Sequence, residues 1–154
     1  MSKKDFIVER LNEVLLNGRW VANTNIKQQI ETITWQQAIQ KVGKLNTIAA
    51  LTFHITYYIK GVANVLVGGP LEIRDKFSFD MPKINSESDW NELVNDFVSS
   101  SEKFIHVVQQ MDETKMDENF VETKYGSYEK NIVGIIEHCY YHLGQISLLK
   151  RMIL

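Results

Sequence analysis

Two histidines near the C-terminal end of the chain have a spacing that could hold a metal ion. His138 and His142 lie four residues apart in the segment 132–154, which reads IVGIIEHCYYHLGQISLLKRMIL. Four residues make about one helical turn, so both imidazoles leave the same side of a helix and can converge on one point. Both lie at the rim of the apolar helical face, where a metal would be held and still be reached. The alternative is two rim histidines bonded to a carbonyl oxygen or to water.

A third histidine lies at a similar position in an earlier apolar segment. His54 falls beside the apolar stripe of LNTIAALTFHITYYIKGV, again at the rim of a predicted helical face. Packing these two faces together would bring all three histidines to one place, whereas a lone His54 would be a partly buried histidine bonded to a neighbouring segment. His106 lies nearly opposite Phe97 on its helical wheel and is predicted to face solvent, outside the site.

Three neutral imidazoles leave a divalent metal with an open coordination position, which is typical of catalytic sites. Each ligating imidazole should also donate its second N–H to an acceptor. Gln145 and Glu137 are the candidates by proximity, although Gln145 is equally well explained as a surface amide. The residue that follows His138 is Cys139, where a metalloprotease helix would carry its general base, so peptide hydrolysis by that mechanism is disfavoured.

Other reactive side chains near the histidines are better explained by packing. Cys139 lies on the apolar arc, where burial raises the pKa of a thiol and opposes a nucleophilic role. Four tyrosines lie near the histidines in sequence, and aromatic residues at helical spacing usually serve packing. Tyr141, next to His142 on the polar side of the wheel, is the exception with a plausible role in the site. The four tyrosines are Tyr57, Tyr58, Tyr140 and Tyr141.

Helical periodicity predicts four long helices that position these residues. The chain holds only two prolines, and an alternating strand pattern is hard to find. The four helices are predicted over residues 5–17, from 46 or 47 to 67, 89–110 and 132–154. Phe6, Leu11, Val14 and Leu15 should form the inner face of the first helix, and Asn131 should cap the last.

The connections between the long helices differ in character. Residues 19–31 are predicted to be an irregular connector with room for a short turn. Thr34 with Gln37 forms a capping box for a short helix over residues 34–42, with Gly43 as its stop. Residues 71–86 have turn chemistry without helical period and predict a long ordered crossover, pinned down by Phe77, Phe79 and Met81. Residues 121–131 predict a tight turn or small hairpin around Gly126.

Composition limits the class of protein. The chain of 154 residues suits a single domain, and its 44% apolar and 23% charged residues are ordinary for a soluble globular protein. A formal charge of −2, without a basic block, argues against a nucleic-acid partner. No apolar run is long enough for a signal peptide or a membrane span, and the single cysteine fits a reducing compartment. We therefore expect a cytoplasmic protein that does not associate with membranes.

The sequence resembles the DinB-like superfamily, which is grouped with the YfiT-type metal-dependent proteins. The resemblance is carried by the histidine of LNTIAALTFHITYYIKGV and by EHCYYHLGQISLLKR, with support from GGPLEIRDKFSFDMP and KYGSYEKN, and it covers nearly the whole chain. It implies an all-α, down-up-up-down four-helix bundle over residues 1–154 with a long crossover between the second and third helices. It further implies that His54, His138 and His142 bind a divalent metal, typically nickel or zinc, and that the protein is a homodimer.

The resemblance leaves the reaction open. Relatives include thiol S-transferases, thiol-dependent isomerases and proteins without an established reaction. One hypothesis is therefore a metal-dependent enzyme that acts on a small molecule, either a small-thiol S-transferase or a hydrolase. The alternative is a non-catalytic dimeric bundle that binds a metal or a small ligand, and a purely structural bundle would make the three histidines a coincidence. A pocket with one convergent polar wall beside the metal would favour the enzyme, whereas a metal buried with no cavity would favour the non-catalytic bundle.

Overall fold

The chain forms six α-helices and no β-strand. The computed structural model describes all residues from 1 to 154. The helices are α1 (Lys3–Asn12), α2 (Ile26–Glu31), α3 (Trp35–Ala38), α4 (Ile48–Leu66), α5 (Glu87–Gln110) and α6 (Tyr128–Ile153). A π-helical turn, Glu13–Asn17, continues α1, and short 3-10 turns lie in the connections. None of these helices is both long and apolar enough to cross a membrane.

The longer helices pack around one continuous core. α4 packs against α5 and α6, and α1 also contacts both of those helices, which gives a bundle-like arrangement. The core cluster contains 35 buried hydrophobic residues, with Phe97 and Phe104 of α5 fully buried. The short helices α2 and α3 lie against the ends of the longer ones. The predicted all-helical fold class is therefore confirmed.

The helix starts follow local capping chemistry. Thr47 caps α4 by accepting a hydrogen bond from the backbone N–H of Ala50, and Ser86 caps α5 in the same way. The predicted capping box between Thr34 and Gln37 is present, with both reciprocal hydrogen bonds formed. The predicted stripe of α4 is buried throughout. Its members are Ile48, Leu51, Ile55, Ile59, Val62 and Leu66.

Three predictions about the helices near the N-terminus were wrong. Phe6 is exposed and Ile7 is buried in its place, because α1 starts at Lys3 and buries Ile7 and Leu11 four residues apart. Part of the connector 19–31 is helical, since Asn25 caps α2. The short helix α3 ends at Ala38, well before Gly43.

The start of the last helix was also predicted wrongly. α6 begins at Tyr128, four residues earlier than expected, because Ser127 accepts a hydrogen bond from the backbone N–H of Lys130. Asn131, the predicted cap, instead donates its side-chain amide to the carbonyls of Tyr125 and Ser127. These bonds tie the preceding turn to the first turn of α6. The turn itself is hairpin-like, with one isolated bridge between Asn119 and Ser127.

The predicted crossover joins α4 to α5 and contains one 3-10 turn, Asp75–Phe77. Two of its three expected anchors hold it, because Met81 packs against the core and the Phe79 ring stacks on His54. Phe77 is exposed, so the prediction was wrong for that residue. Ser78 and Ile84 are the buried residues of this segment. The crossover runs past the middle of α4, so it reaches His54.

Candidate metal centre

The structure brings His54, His138 and His142 together. The Nε2 atom of His138 lies 3.1 Å from Nε2 of His54 and 2.8 Å from Nε2 of His142. The three potential ligand atoms all lie within 4.8 Å of one another. α4 supplies the first histidine and α6 the other two, and the contact between these helices follows from their apolar faces. The predicted convergence is thus present, while their role as metal ligands stays a prediction.

Two of the three rings are held by acceptors on their far side. Nδ1 of His54 lies 3.3 Å from the carbonyl oxygen of Ser78, and Nδ1 of His142 lies 2.6 Å from Oε1 of Gln145. An oxygen of either kind can only accept, so each Nδ1 carries the proton of a neutral imidazole. The Nε2 atoms of His54 and His142 therefore present lone pairs to the centre of the cluster.

This arrangement leaves too few N–H donors for the lone pairs that face the centre of the cluster. His138 has one Nε2 atom, which can donate at most one hydrogen to one of the two facing lone pairs. The other lone pair then has no donor in the protein. Both histidines that present these lone pairs are buried, with 8% exposure for His54 and 6% for His142. A divalent cation bound by all three nitrogens would satisfy every one of them.

The spacing of the nitrogens fits such a cation. Three nitrogens bound at about 2.1 Å to one metal are about 3.0 Å apart in octahedral geometry and about 3.4 Å apart in tetrahedral geometry. The two separations that involve His138, 3.1 and 2.8 Å, lie at or near the octahedral value, and all three ligand atoms lie within 4.8 Å of one another. Two of the three pairs of nitrogens are therefore already spaced like metal ligands.

All three imidazoles favour the neutral form that binds metals. Burial, together with like-charge repulsion from His142 and His54, lowers the pKa of His138 to about 4. Burial also lowers the pKa of His54 and of His142, and the hydrogen bond to Gln145 partly offsets the change in His142. A cation at this site would therefore meet little competition from protons at neutral pH.

The crossover contributes contacts that periodicity did not reveal. The Phe79 ring stacks on the His54 ring, with centroids 4.1 Å apart and planes within 8°. Tyr58 places its ring edge-on to both His54 and His138, and its hydroxyl donates a short hydrogen bond to Asp75. Burial, with that hydrogen bond, raises the pKa of Tyr58 to about 12. The only signal in the sequence is the alternation of Phe77, Phe79 and Met81, which predicts residues that pin the crossover down but does not identify His54 as a contact.

Several other candidate residues have clear places outside the cluster. His106 is exposed on α5, as predicted. Glu137 is exposed and makes no hydrogen bond to any histidine, so Gln145 is the one predicted acceptor in contact. Cys139 is fully buried, and burial raises the pKa of its thiol to about 12. Tyr141 is 65% exposed, and its ring lies edge-on to His142 at 5.0 Å.

A cavity opens beside His138. It has a volume of about 670 Å³ and lies between α4, α6 and the crossover. Its lining is mainly apolar, with Tyr58, Asp75 and His138 at one side and Lys130 further along α6. Because His138 is only half-buried, the histidine cluster borders a space large enough for a small organic molecule.

Comparison with known protein families and with characterised proteins finds no match for this chain. The resemblance to the DinB-like superfamily therefore stays a prediction from its motifs.

Proposed function

We propose that the protein is a metal-dependent enzyme whose centre is a divalent ion held by His54, His138 and His142. The observation that carries this proposal is the pair of inward lone pairs on His54 and His142, fixed by Ser78 and Gln145 and facing the third imidazole. Zinc or nickel suits three imidazole ligands. Such a set leaves coordination positions for water or substrate.

The reaction class we propose is transfer of a small thiol or hydrolysis, as in the DinB-like superfamily with its down-up-up-down four-helix bundle. The bound ion would supply Lewis acidity, which lowers the pKa of a coordinated water or thiol. The chain's own residues orient the imidazoles: Ser78 and Gln145 hold two Nδ1 protons, and Phe79 covers one face of His54. Cys139 is too buried to act as a nucleophile.

The cavity beside His138 supports an enzyme over the alternative, a dimeric bundle that binds metal or a small ligand without turning it over. A site with no space next to it could not admit a substrate, whereas this one borders about 670 Å³. The alternative is supported by the absence of any carboxylate hydrogen-bonded to the three rings. The hydroxyl of Tyr58 and the carboxylate of Asp75 are the nearest acid–base pair, and they bond to each other.

We also propose a homodimer formed through α6. Tyr141, Leu148 and Met152 are exposed and fall on one side of this helix, seven and four residues apart. Large apolar side chains in such a row are typical of an interaction surface. Light scattering should therefore report about twice the chain mass of 17.9 kDa at tens of micromolar. Leu148→Glu should shift the mass toward the monomer, and a monomeric wild-type chain would contradict the proposal.

Elemental analysis tests the metal centre. Protein purified without an affinity tag should contain close to one equivalent of zinc or nickel per chain, and His142→Ala should contain far less. His106→Ala is the matched control, because this exposed histidine lies outside the cluster. Equal metal content in all three proteins would reject the site. Turnover of thiols with an electrophile, or of activated esters, by the loaded wild type but not by His142→Ala would then separate the enzyme from the non-catalytic alternative.

A further inference from the structure

Three residues of α6 form a row along the cavity. Lys130, Gly134 and His138 are each four residues apart and all line this space. At 1.5 Å per residue, the row from Lys130 to His138 spans about 12 Å. A Cβ atom added at Gly134 would meet nothing within 4 Å, so the middle of the row is open. The cavity is therefore a groove with a floor of bare helix backbone.

The walls of the groove are apolar along its middle. They come from α4, from the crossover and from the turn before α6. The wall residues are Val62, Leu71, Ile73, Phe120 and Ile135. Such a lining favours the body of an apolar or aromatic molecule over a strongly polar one.

The two ends of the groove carry opposite charge. Lys130 is the only cation in the lining and makes no ion pair, and its side chain lies along the turn against Gly126. Gly126 has a φ of +78°, and a Cβ there would come within 2.6 Å of the Lys130 side chain. Asp75 is the only carboxylate in the lining, and the Tyr58 hydroxyl bonds it at the histidine end. The groove is thus positive at the Lys130 end, which lies about 12 Å along α6 from His138, and negative at the histidine end.

We infer that this groove binds an elongated amphipathic carboxylate. Its carboxylate pairs with Lys130, its apolar body lies over Gly134, and its far end lies beside His138. Asp75 repels the reverse orientation, because that would bring two carboxylates together. Binding in the groove needs no metal. Only the further step, that the far end of this molecule is what the metal centre acts on, rests on the proposed function.

Calorimetric titration with decanoate, using metal-free full-length protein, tests the inference. Decanoate should bind, and decylamine, which has the same apolar chain with a cation, should bind at least about tenfold more weakly. Lys130→Met keeps the aliphatic part of the side chain and should weaken the binding of decanoate by about tenfold. Lys103→Met is the control, since Lys103 is exposed on α5 and does not line the groove.

A blocking variant tests the position of the ligand. Gly134→Leu should abolish decanoate binding by filling the floor, whereas Gly144→Leu, at the other open glycine of α6, should not. Circular dichroism and a cooperative thermal unfolding transition identify any variant that fails to fold. His142→Ala should lose metal and still bind decanoate, which separates failure of the metal centre from failure of the groove. Absence of decanoate binding, equal affinity for decylamine, or binding that survives Gly134→Leu would each overturn the inference.

Discussion

Replacing Gln145 isolates the contribution of one hydrogen bond to the metal centre. Oε1 of Gln145 accepts from Nδ1 of His142 at 2.6 Å, which fixes the tautomer that presents Nε2 to the cluster. In Gln145→Leu the ring keeps its packing and loses this acceptor. Removal of such a partner from a metal-binding histidine lowers metal affinity by about 10- to 100-fold, or roughly 1.4–2.7 kcal/mol.

The expected effect is large enough to read by thermal unfolding. At a metal concentration about 100 times the Kd, binding stabilises the wild type by about 2.7 kcal/mol. The same concentration would stabilise Gln145→Leu by only about 0.4–1.4 kcal/mol. For a chain of this size about 1 kcal/mol shifts the Tm by about 2–4 °C, so the metal-induced shift should fall from roughly 5–11 °C to below about 6 °C. Competition with a chromophoric chelator gives the affinity independently.

Two further variants decide whether the acceptor itself is responsible. Gln145→Glu has the same length and keeps an acceptor, so it should bind metal at least as tightly as the wild type. Gln109→Leu removes an exposed glutamine from α5 and should change nothing. The reasoning is refuted if Gln145→Leu binds metal like the wild type, or if Gln145→Glu is as weak as Gln145→Leu.

Three more predictions concern the pH dependence of stability, a buried hydroxyl and a tight turn. Because burial lowers the pKa of His138 to about 4, the unfolded chain binds the proton at a higher pH than the folded chain. The free energy of unfolding of the metal-free protein, measured in urea, should therefore fall as the pH drops from about 7 to 5. This range lies above the pKa values of ordinary carboxylates. His138→Gln should lose less stability over the same range. Ser101→Ala should stabilise the protein by up to about 1 kcal/mol in the same assay, because the buried Ser101 hydroxyl has no hydrogen-bond partner; a marked loss of stability would contradict this. Gly18→Ala should lower the Tm, since its Cβ would lie 2.3 Å from the backbone Cα of Glu13, and an unchanged Tm would show that the turn can move.

The sequence predicted the parts of the fold that follow helical periodicity. The stripe of α4 and the inner face of α5 recur every three or four residues, and such a repeat is buried wherever two helices pack. The same reasoning placed His54 beside the stripe of α4 and the other two histidines beside the apolar face of α6, and the structure brings the three rings together. The capping box at Thr34 was also predicted correctly, because both of its residues stand at the required spacing in the sequence.

The π-helical turn and the crossover contacts could not be predicted, because these segments carry no periodic pattern of apolar residues. The π-helical turn after α1 depends on Glu13, which is buried, pairs with Arg10 at 2.6 Å and accepts the N–H of Val21 at 2.8 Å. A charged residue on an amphipathic pattern is ordinarily assigned to the solvent side, so no periodicity could reveal this. Ser78, Phe79 and Asp75 reach the site from an irregular crossover, whose path depends on tertiary contacts rather than on local propensity.

The crossover links the metal centre to the groove, and this determines how the two would act together. Within a few residues it supplies the carbonyl that orients His54, the ring that stacks on it, and the carboxylate that holds Tyr58. The same segment supplies Leu71 and Ile73 to the wall of the groove. A molecule that presses on this wall therefore contacts the segment that positions His54. Occupancy of the groove and affinity for the metal should consequently be coupled, and by linkage each ligand would change the affinity for the other by the same factor.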